Sequence, residues 1–222
     1  MTEKVKIKEI FASIQGEGPF IGYKQLFIRF CGCNLSCEYC DTDFDAINSE
    51  EYSYCELADI VNNYKDCHSV SLTGGEPLLH VEFLNKFLPM IDKPIYLETN
   101  ATLFQNLAKV IDFVDYVSAD IKLPSCTGLK PHWEEHQNFF ETAISKTLFA
   151  KVVFDQNITD DEVENCISLA QKYNIELVLQ PRMLSTGMSI TNVIAENVLD
   201  KFLAKYPKVR LIPQVHKFID VR

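Results

Sequence analysis

The sequence predicts an α/β fold, an incomplete TIM-like barrel of about six parallel strands joined by crossover helices. Short apolar, strand-like segments alternate with helical patterns over most of the chain, which is typical of a parallel sheet wrapped by helices. The chain has 222 residues, whereas a complete eight-stranded barrel usually takes about 250. An open doubly wound sheet remains the alternative. In both folds, functional residues are expected at the C-terminal ends of the strands.

Six apolar segments are candidate strands, and a seventh follows near the C-terminus. They are residues 26–30, 69–72, 95–99, 116–121, 150–154, 176–180 and 209–214. The helices between them carry their own start signals. Ser53 with Glu56, and Thr159 with Glu162, each fit a capping box, in which both side chains satisfy backbone N–H groups at a helix start. No repeat or linker divides the chain, so residues 1–222 are expected to form a single domain.

The composition is that of a globular protein with a sizeable core, since 47% of the residues are hydrophobic and 23% are charged. The formal net charge of -10 argues against nucleic-acid binding, because phosphate contacts are made mainly by Lys and Arg. No apolar run approaches the length of a membrane span, and residues 1–11 alternate charged with apolar side chains, unlike a signal peptide. We therefore expect a cytoplasmic protein with neither a membrane nor a nucleic-acid partner.

Residues 31–42, called the cluster loop below, follow the first candidate strand and carry Cys33, Cys37 and Cys40 in the spacing C-x3-C-x2-C. Three thiolates this close in sequence can hold three corners of one iron–sulfur cubane and leave the fourth iron open to an exogenous chelator. Structural zinc is the alternative, with Cys31 as the fourth ligand of a closed tetrahedron. A ferredoxin would normally supply a further cysteine for each cluster. The spacing favours the open cluster, and Cys31 is interpreted as a packed apolar residue.

Residues 73–77, TGGEP, follow the second candidate strand. Gly74 and Gly75 allow backbone conformations closed to other residues and let a ligand approach closely. Glu76 places a carboxylate beside this gap, which suits an ammonium group. Taken alone, the segment is more simply a tight turn into a helix. Together with the cluster loop, it favours a binding site.

Several segments together resemble the radical S-adenosylmethionine (SAM) superfamily and, within it, the 7-carboxy-7-deazaguanine synthase family. The cysteine spacing and the glycine pair belong to the superfamily, including the glycyl-radical activating enzymes. The narrower resemblance depends on segments spread over nearly the whole chain. These are IQGEG at 14–18, IRFCGCNLSCEYCDT at 28–42, LTGGEPLL at 72–79, ETNAT at 98–102, SADIKLPS at 118–125, LQP at 179–181 and QVHK at 214–217.

The resemblance implies a radical SAM core with a four-iron, four-sulfur (4Fe-4S) cluster, SAM and Mg2+ as cofactors. The implied ligands are Cys33, Cys37 and Cys40 for the cluster and the hydroxyl of Thr42 for Mg2+. The implied SAM contacts are Tyr39, Gly75, Glu76, Ser118, Lys122 and Gln180. The implied substrate contacts are Ile14, Gln15, Gly16, Glu17, Arg29, Thr73, His216 and the C-terminal carboxylate of Arg222.

Arg29 has the clearest physical reason among these residues, because an Arg inside an apolar barrel is costly unless it meets a carboxylate. Its alternative is a surface position on the other face of the strand. Two residues depart from the family pattern. Cys31 stands where a small residue is expected, and SADIK is longer than the compact motif of some relatives, which leaves the role of Asp120 open.

By the same resemblance, the chain is expected to be a carbon–nitrogen lyase. It would convert 6-carboxy-5,6,7,8-tetrahydropterin to 7-carboxy-7-deazaguanine with loss of ammonia, a step toward queuosine and archaeosine, and would regenerate SAM. The resemblance further implies a homodimer, and an exposed cluster needs an electron donor such as flavodoxin or ferredoxin. Two alternatives stay open: an activating enzyme that forms a glycyl radical on a partner protein, and a zinc-binding interaction module.

Overall fold

The computed structural model describes residues 3–40, 42–185 and 187–221, and within these ranges a nine-stranded sheet forms the centre of the protein. Its parallel strands are, in spatial order, β2 (Lys24–Phe30), β4 (Ser69–Gly74), β5 (Ile95–Thr99), β6 (Tyr116–Ile121), β7 (Thr147–Phe154), β8 (Glu176–Pro181) and β11 (Val209–Leu211). Two further strands pair antiparallel at one side, β1 (Lys4–Ile14) with β2, and β3 (Glu50–Ser53) with β1. A separate short ladder joins β9 (Met183–Leu184) to β10 (Gly187–Met188).

Helices connect the parallel strands. They are α1 (Tyr54–Asn63), α2 (Val81–Phe87), α3 (Phe104–Val110), α4 (Pro124–Thr127), α5 (Trp133–Ala143), α6 (Asp160–Tyr173) and α7 (Asn192–Leu203). Both predicted capping boxes are confirmed, at the starts of α1 and α6. Ser53 Oγ accepts from Glu56 N at 3.3 Å, and Thr159 Oγ1 accepts from Glu162 N at 3.2 Å. In each box the glutamate carboxylate accepts from the backbone N–H of the cap residue in return.

The two faces of the parallel strands have different surroundings, as the alternation of side chains along a strand requires. Outward side chains such as Leu72, Leu97 and Val152 pack with the helices in the main core. A second apolar cluster lies on the inner face, and we call it the barrel floor: Phe20, Tyr96, Tyr116, Phe149, Val178 and Ile212. None of the floor residues belongs to α1–α7, so the inner face is covered by strand side chains and loops, as in a barrel, and not by a second helix layer.

All seven predicted strands are present, although β11 ends at Leu211 and does not reach residue 214, and the incomplete barrel is the fold observed. Within the described residues β3 and β11 are the two edges of the sheet, so the barrel does not close. The sequence did not predict β1 and β3. Cys31 is 6% exposed and packs as an apolar residue, as predicted. No helix in the described ranges is long and apolar enough to span a membrane.

Candidate active site

A cavity of about 440 Å³ lies where the parallel strands end, at the edge of the sheet where functional residues are expected. Most of the predicted site residues line it. They are Ile14, Gln15, Gly16, Glu17, Arg29, Cys33, Cys37, Tyr39, Cys40, Thr42, Thr73, Gly75, Lys122, Gln180 and His216. Segments that are far apart in sequence, at the two ends of the chain and in the cluster loop, therefore meet at one site.

Two of the predicted site residues that the structure describes do not line this cavity. Glu76 is fully buried, and its carboxylate accepts from Thr99 Oγ1 at 2.9 Å, from Asn100 N at 2.8 Å and from Leu78 N at 3.1 Å. Burial raises the pKa of Glu76 to about 7 even though these donors favour its charged form. The carboxylate thus holds the end of β5 against β4, and its contact with an ammonium group stays a prediction.

The second of these residues is Ser118. It is 3% exposed and lies opposite Glu98 in the pairing of β5 with β6. Because Ser118 is not among the cavity-lining residues, the cavity gives no support to its predicted contact with SAM. Arg222 lies outside the described residues.

The cluster loop presents its three cysteines to the cavity as free thiols. Cys33 Sγ accepts from Leu35 N at 3.5 Å and from the side-chain amide of Asn100 at 3.8 Å. Burial raises the pKa of the Cys33 and Cys37 thiols, while the charge of Lys122 opposes that rise. Metal ligation deprotonates a thiol outright, and N–H groups directed at sulfur are a known feature of iron–sulfur sites. The donor set therefore fits an iron–sulfur cluster.

A four-cysteine zinc site does not fit the same loop. Cys31 is buried and is not among the cavity-lining residues, so it does not complete a tetrahedron with the other three. In the described part of the chain, no group of three or more His, Cys, Asp or Glu side chains is arranged to hold a single metal ion.

The glycine pair has a packing role that the sequence did not reveal. A Cβ on Gly75 would lie 1.8 Å from the carbonyl oxygen of Gly32 in the cluster loop, and Glu76 N donates to the same oxygen at 2.8 Å. Gly74 has a φ of +114°, and a Cβ there would lie 2.4 Å from Phe30 O. The pair thus lets the end of β4 lie directly against the backbone of the cluster loop, in addition to bordering the cavity.

A row of ion pairs crosses the cavity, and we call it the ionic chain: Tyr39, Lys122, Asp120, Lys151 and Glu17. Lys122 Nζ donates to Tyr39 Oη at 3.0 Å and lies 2.8 Å from Asp120 Oδ2. Lys151 Nζ lies 3.2 Å from Asp120 Oδ1 and 2.5 Å from Glu17 Oε2. No sequence motif assigned a role to Lys151, although a lone Lys within the apolar segment AKVVF was a usable signal, because a buried lysine needs a carboxylate partner.

Three members of the ionic chain, Lys122, Lys151 and Glu17, stay charged. Burial by itself lowers the pKa of Lys122 and Lys151, but Asp120 and the other neighbouring acidic groups together outweigh it, and both pKa values lie well above the ordinary one. Burial raises the pKa of Glu17, whereas the charge of Lys151 and the hydrogen bonds from Gln214 and Lys151 bring it below its usual range. Fixed charges of both signs therefore line the cavity at neutral pH.

Glu98 is a second lining residue that the sequence analysis missed. Its carboxylate accepts from Gln15 Nε2 at 3.0 Å, from Ser71 Oγ at 3.1 Å and from Thr73 Oγ1 at 3.1 Å. Burial raises the pKa of Glu98, against the opposing charge of Lys151. The position on β5, two residues after the floor residue Tyr96, was the available signal, because side chains two apart share a face.

Arg29 faces the cavity, as predicted, and does not take the alternative position on the surface. Its Nε lies 3.2 Å from Glu9 Oε2, and its guanidinium carbon lies 5.7 Å from the centre of the Phe11 ring. Both partners belong to β1, the strand that the sequence did not predict. The guanidinium is therefore held at the cavity wall by a neighbouring antiparallel strand.

The segment that carries His216 packs on the IQGEG segment. Val215 N donates to Gly16 O at 2.9 Å, and Gln214 Nε2 donates to Glu17 Oε1 at 2.7 Å. A Cβ on Gly16 would lie 2.4 Å from His216 Nδ1, so this contact requires glycine. The first and last motifs thus form one wall.

Comparison with known proteins agrees with this site. Residues 27–180 match the family described as the Radical SAM superfamily, and this chain is a member of that superfamily. It is 34% identical to 7-carboxy-7-deazaguanine synthase of Geobacter sulfurreducens, over 96% of both chains, and 37% identical to that of Archaeoglobus fulgidus, over 99% of this chain and 100% of the relative. More narrowly, therefore, the chain belongs to the 7-carboxy-7-deazaguanine synthase family.

Solved structures of two other proteins have a similar fold. The crystal structure of QueE from Escherichia coli matches with a TM-score of 0.66, at 18% identity, over 96% of this chain and 95% of that one. A radical SAM methyltransferase from Sphaerobacter thermophilus matches with a TM-score of 0.61, at 10% identity, over 92% of this chain and 77% of that one. At these identities the likeness concerns the fold alone.

Proposed function

We propose that this chain converts 6-carboxy-5,6,7,8-tetrahydropterin to 7-carboxy-7-deazaguanine with release of ammonia, using SAM catalytically. Membership of the 7-carboxy-7-deazaguanine synthase family supports this reaction. The observation that carries it is the meeting of three free cysteines with the IQGEG and QVHK segments around one cavity. A small polar substrate fits such a cavity, because polar and charged side chains from several strands converge on it.

Cys33, Cys37 and Cys40 would hold the 4Fe-4S cluster at the rim of the cavity. When bound, the cluster and SAM supply the radical chemistry, and the protein supplies binding, orientation and exclusion of water. Three protein ligands leave one iron of the cluster for SAM. Cys40 is the most exposed of the three residues, which is consistent with electron delivery from a separate donor protein.

The SAM contacts that the cavity supports are Tyr39, Gly75, Lys122 and Gln180. Lys122 offers a buried positive charge to the carboxylate of SAM. Gln180 is 3% exposed, and its Oε1 is one of the few buried side-chain atoms in the described ranges that have no hydrogen-bond partner. A buried acceptor without a donor is costly, so an N–H or O–H group of bound SAM would satisfy it.

The substrate contacts would come from cavity-lining residues other than those assigned to SAM. They are Ile14, Gln15, Gly16, Glu17, Arg29, Thr73 and His216. Arg29 suits the substrate carboxylate, since a guanidinium pairs well with a carboxylate in bidentate geometry. Glu17 and Gln15 suit the N–H donors of the pterin ring. Thr42 would offer its hydroxyl to Mg2+, which usually keeps waters and takes few protein ligands.

Four broader assignments belong to the same proposal. The whole chain would act as a single radical SAM domain, supported by one sheet and one main core. A flavodoxin or ferredoxin would reduce the cluster, the protein would form a homodimer, and it would work in the cytoplasm. The last three are inferred from the family resemblance and from the need of a radical SAM enzyme for an electron.

The test is turnover by protein reconstituted with iron and sulfide under anaerobic conditions. We expect 7-carboxy-7-deazaguanine and ammonia to form in equal amounts, with the SAM concentration unchanged after many turnovers. SAM consumption in a one-to-one ratio with product would contradict catalytic use of SAM. Formation of a glycyl radical on an added protein, without pterin turnover, would favour the activating enzyme, and zinc in place of iron and acid-labile sulfide would favour the zinc module.

A further inference from the structure

Asp120 contacts two buried lysines on neighbouring strands, and the proposed function so far gives it no role. Lys122 follows β6 and is assigned to SAM, while Lys151 in β7 pairs with Glu17, which is assigned to the substrate. We propose that Asp120 and Lys151 couple the two binding sites, so that SAM and the pterin bind with positive cooperativity. This inference rests on the proposed function for the identity of the two ligands.

The ionic chain has the burial that such coupling requires. The side chains of Lys122, Asp120, Lys151 and Glu17 are 11%, 16%, 8% and 17% exposed, respectively. Charges that are shielded from water interact more strongly than charges on the surface, and salt screens them less. A change in the partner of one lysine is therefore felt at the next carboxylate.

Each end of the ionic chain is joined to a segment that carries ligand contacts. At one end, Lys122 donates to Tyr39 of the cluster loop at 3.0 Å. At the other end, Glu17 Oε1 accepts from Gln214 at 2.7 Å, next to His216. The ionic chain thus runs from the cluster loop to the C-terminal wall.

The sign of the coupling follows from the order of the charges. Before ligands bind, Asp120 is shared between Lys122 and Lys151, and Lys151 is shared between Asp120 and Glu17. When the carboxylate of SAM pairs with Lys122, Asp120 is less neutralised on that side and attracts Lys151 more strongly. Lys151 then neutralises Glu17 less, which leaves the Glu17 carboxylate freer to accept from N–H groups of the pterin. By reciprocity, the pterin favours SAM to the same extent.

The experiment measures the dissociation constant of SAM by calorimetry, with and without 6-carboxy-5,6,7,8-tetrahydropterin. Anaerobically reconstituted holoprotein is used without a reductant, so that no turnover occurs. For the unmodified protein we expect SAM to bind at least about fivefold more tightly when the pterin is present. In Asp120→Asn, which keeps the side-chain size but removes the charge, we expect the two constants to become equal.

Asp155→Asn is the matched control. Asp155 is a buried carboxylate at the end of β7, pairs with Arg182 at 3.7 Å and does not line the cavity. In this variant, the ratio of the SAM dissociation constants without and with the pterin is expected to equal that of the unmodified protein. A structural defect in Asp120→Asn would raise the dissociation constant of SAM by a similar factor with and without the pterin. The ratio of the two constants would then stay unchanged, so this ratio distinguishes loss of coupling from structural damage.

Asp120→Asn leaves two buried lysines with less compensation and can destabilise the protein. The double variant Asp120→Asn/Lys151→Met removes one charge of each sign and keeps the local net charge, and its ratio is also expected to be one. Equal constants in the unmodified protein, or an unchanged ratio in both variants, would overturn the coupling. If the unmodified protein forms no 7-carboxy-7-deazaguanine in the turnover assay, the proposed function fails. That outcome is measured as product formed, whereas the coupling is measured as the ratio of dissociation constants.

Discussion

The two ends of the barrel interior are built on the same strands and the same face, yet their chemistry is opposite. At the barrel floor, Tyr96 and Phe149 pack with other apolar side chains. Two residues further along each strand, the inner face carries Glu98 and Lys151 at the cavity. Because side chains two apart share a face, a step of two residues moves from packing to binding.

The difference lies in what each end needs in order to be stable. The floor gains from burial of large apolar surfaces and from aromatic contacts, such as the 4.7 Å separation of the Phe20 and Tyr116 rings. The cavity end of the barrel interior, which carries Glu98 and Lys151, is called the mouth below. The mouth buries charges, and this is favourable only while every charge has a partner. A substitution at the floor should therefore change stability, whereas a substitution at the mouth should change function.

Cys37→Ala is the strongest test of the mouth. The variant removes one of three cluster ligands, so we expect complete loss of turnover and of the cluster absorbance. Cys55→Ala, at an exposed cysteine outside the cluster loop, is the control and should keep both. Turnover in Cys37→Ala near that of the control would remove the cluster from the reaction.

Phe149→Ala is the corresponding test of the floor. Phe149 is 3% exposed and packs with Phe20 and Tyr96, so the variant should lose about 3–5 kcal/mol of unfolding free energy. Its turnover per folded molecule should stay within a few-fold of the unmodified value. Urea unfolding gives the first quantity and a product assay well below the melting temperature gives the second. A normal stability with abolished turnover would reverse the division between floor and mouth.

Gly75→Ala tests the contact between the mouth and the cluster loop. The added Cβ would meet Gly32 O at 1.8 Å, so either β4 or the loop must shift, at a cost of about 1–3 kcal/mol or more. We expect less iron bound per chain after reconstitution. Gly22→Ala is a useful comparison, because Gly22 has a φ of +92° but no atom within 4 Å of its missing Cβ. Equal iron in the two variants would mean that the collision with Gly32 O does not disturb the cluster loop.

The sequence predicted the parallel strands, both capping boxes and most of the cavity wall, because those depend on local periodicity and short motifs. β1 was not predicted, although the charged and apolar residues at its start alternate as in a half-buried strand, and β1 supplies Glu9 as the partner of Arg29. It could not show that Glu76 turns toward Thr99 and Asn100, nor that Asp120 lies between two lysines. Those facts depend on side chains from separate strands, whose distances no single segment of sequence fixes.

His136→Gln gives the smallest expected effect and tests how the helix layer supports the mouth. His136 Nε2 accepts from the backbone N–H of Lys122 at 3.1 Å, so Nδ1 carries the proton and donates to Ala101 O at 3.2 Å. Burial lowers the pKa of His136 to about 4, with the nearby charges of His132 and Lys122 acting in the same direction. In the unfolded chain an ordinary imidazole takes up a proton near pH 6.5.

Between pH 6.5 and pH 4, therefore, the unfolded chain binds a proton at His136 that the folded protein excludes. The stability from the neutral imidazole is complete above pH 6.5 and is lost as the pH falls toward 4, amounting to about 1 kcal/mol by pH 5.5. The His136→Gln variant should be less stable at pH 8 but should lose about 1 kcal/mol less than the unmodified protein between pH 8 and pH 5.5. Urea unfolding of both proteins at the two pH values measures this difference. Equal losses in the two proteins would mean that His136 takes up a proton as readily in the folded protein as in the unfolded chain, and the backbone N–H of Lys122 would then need another acceptor at pH 5.5.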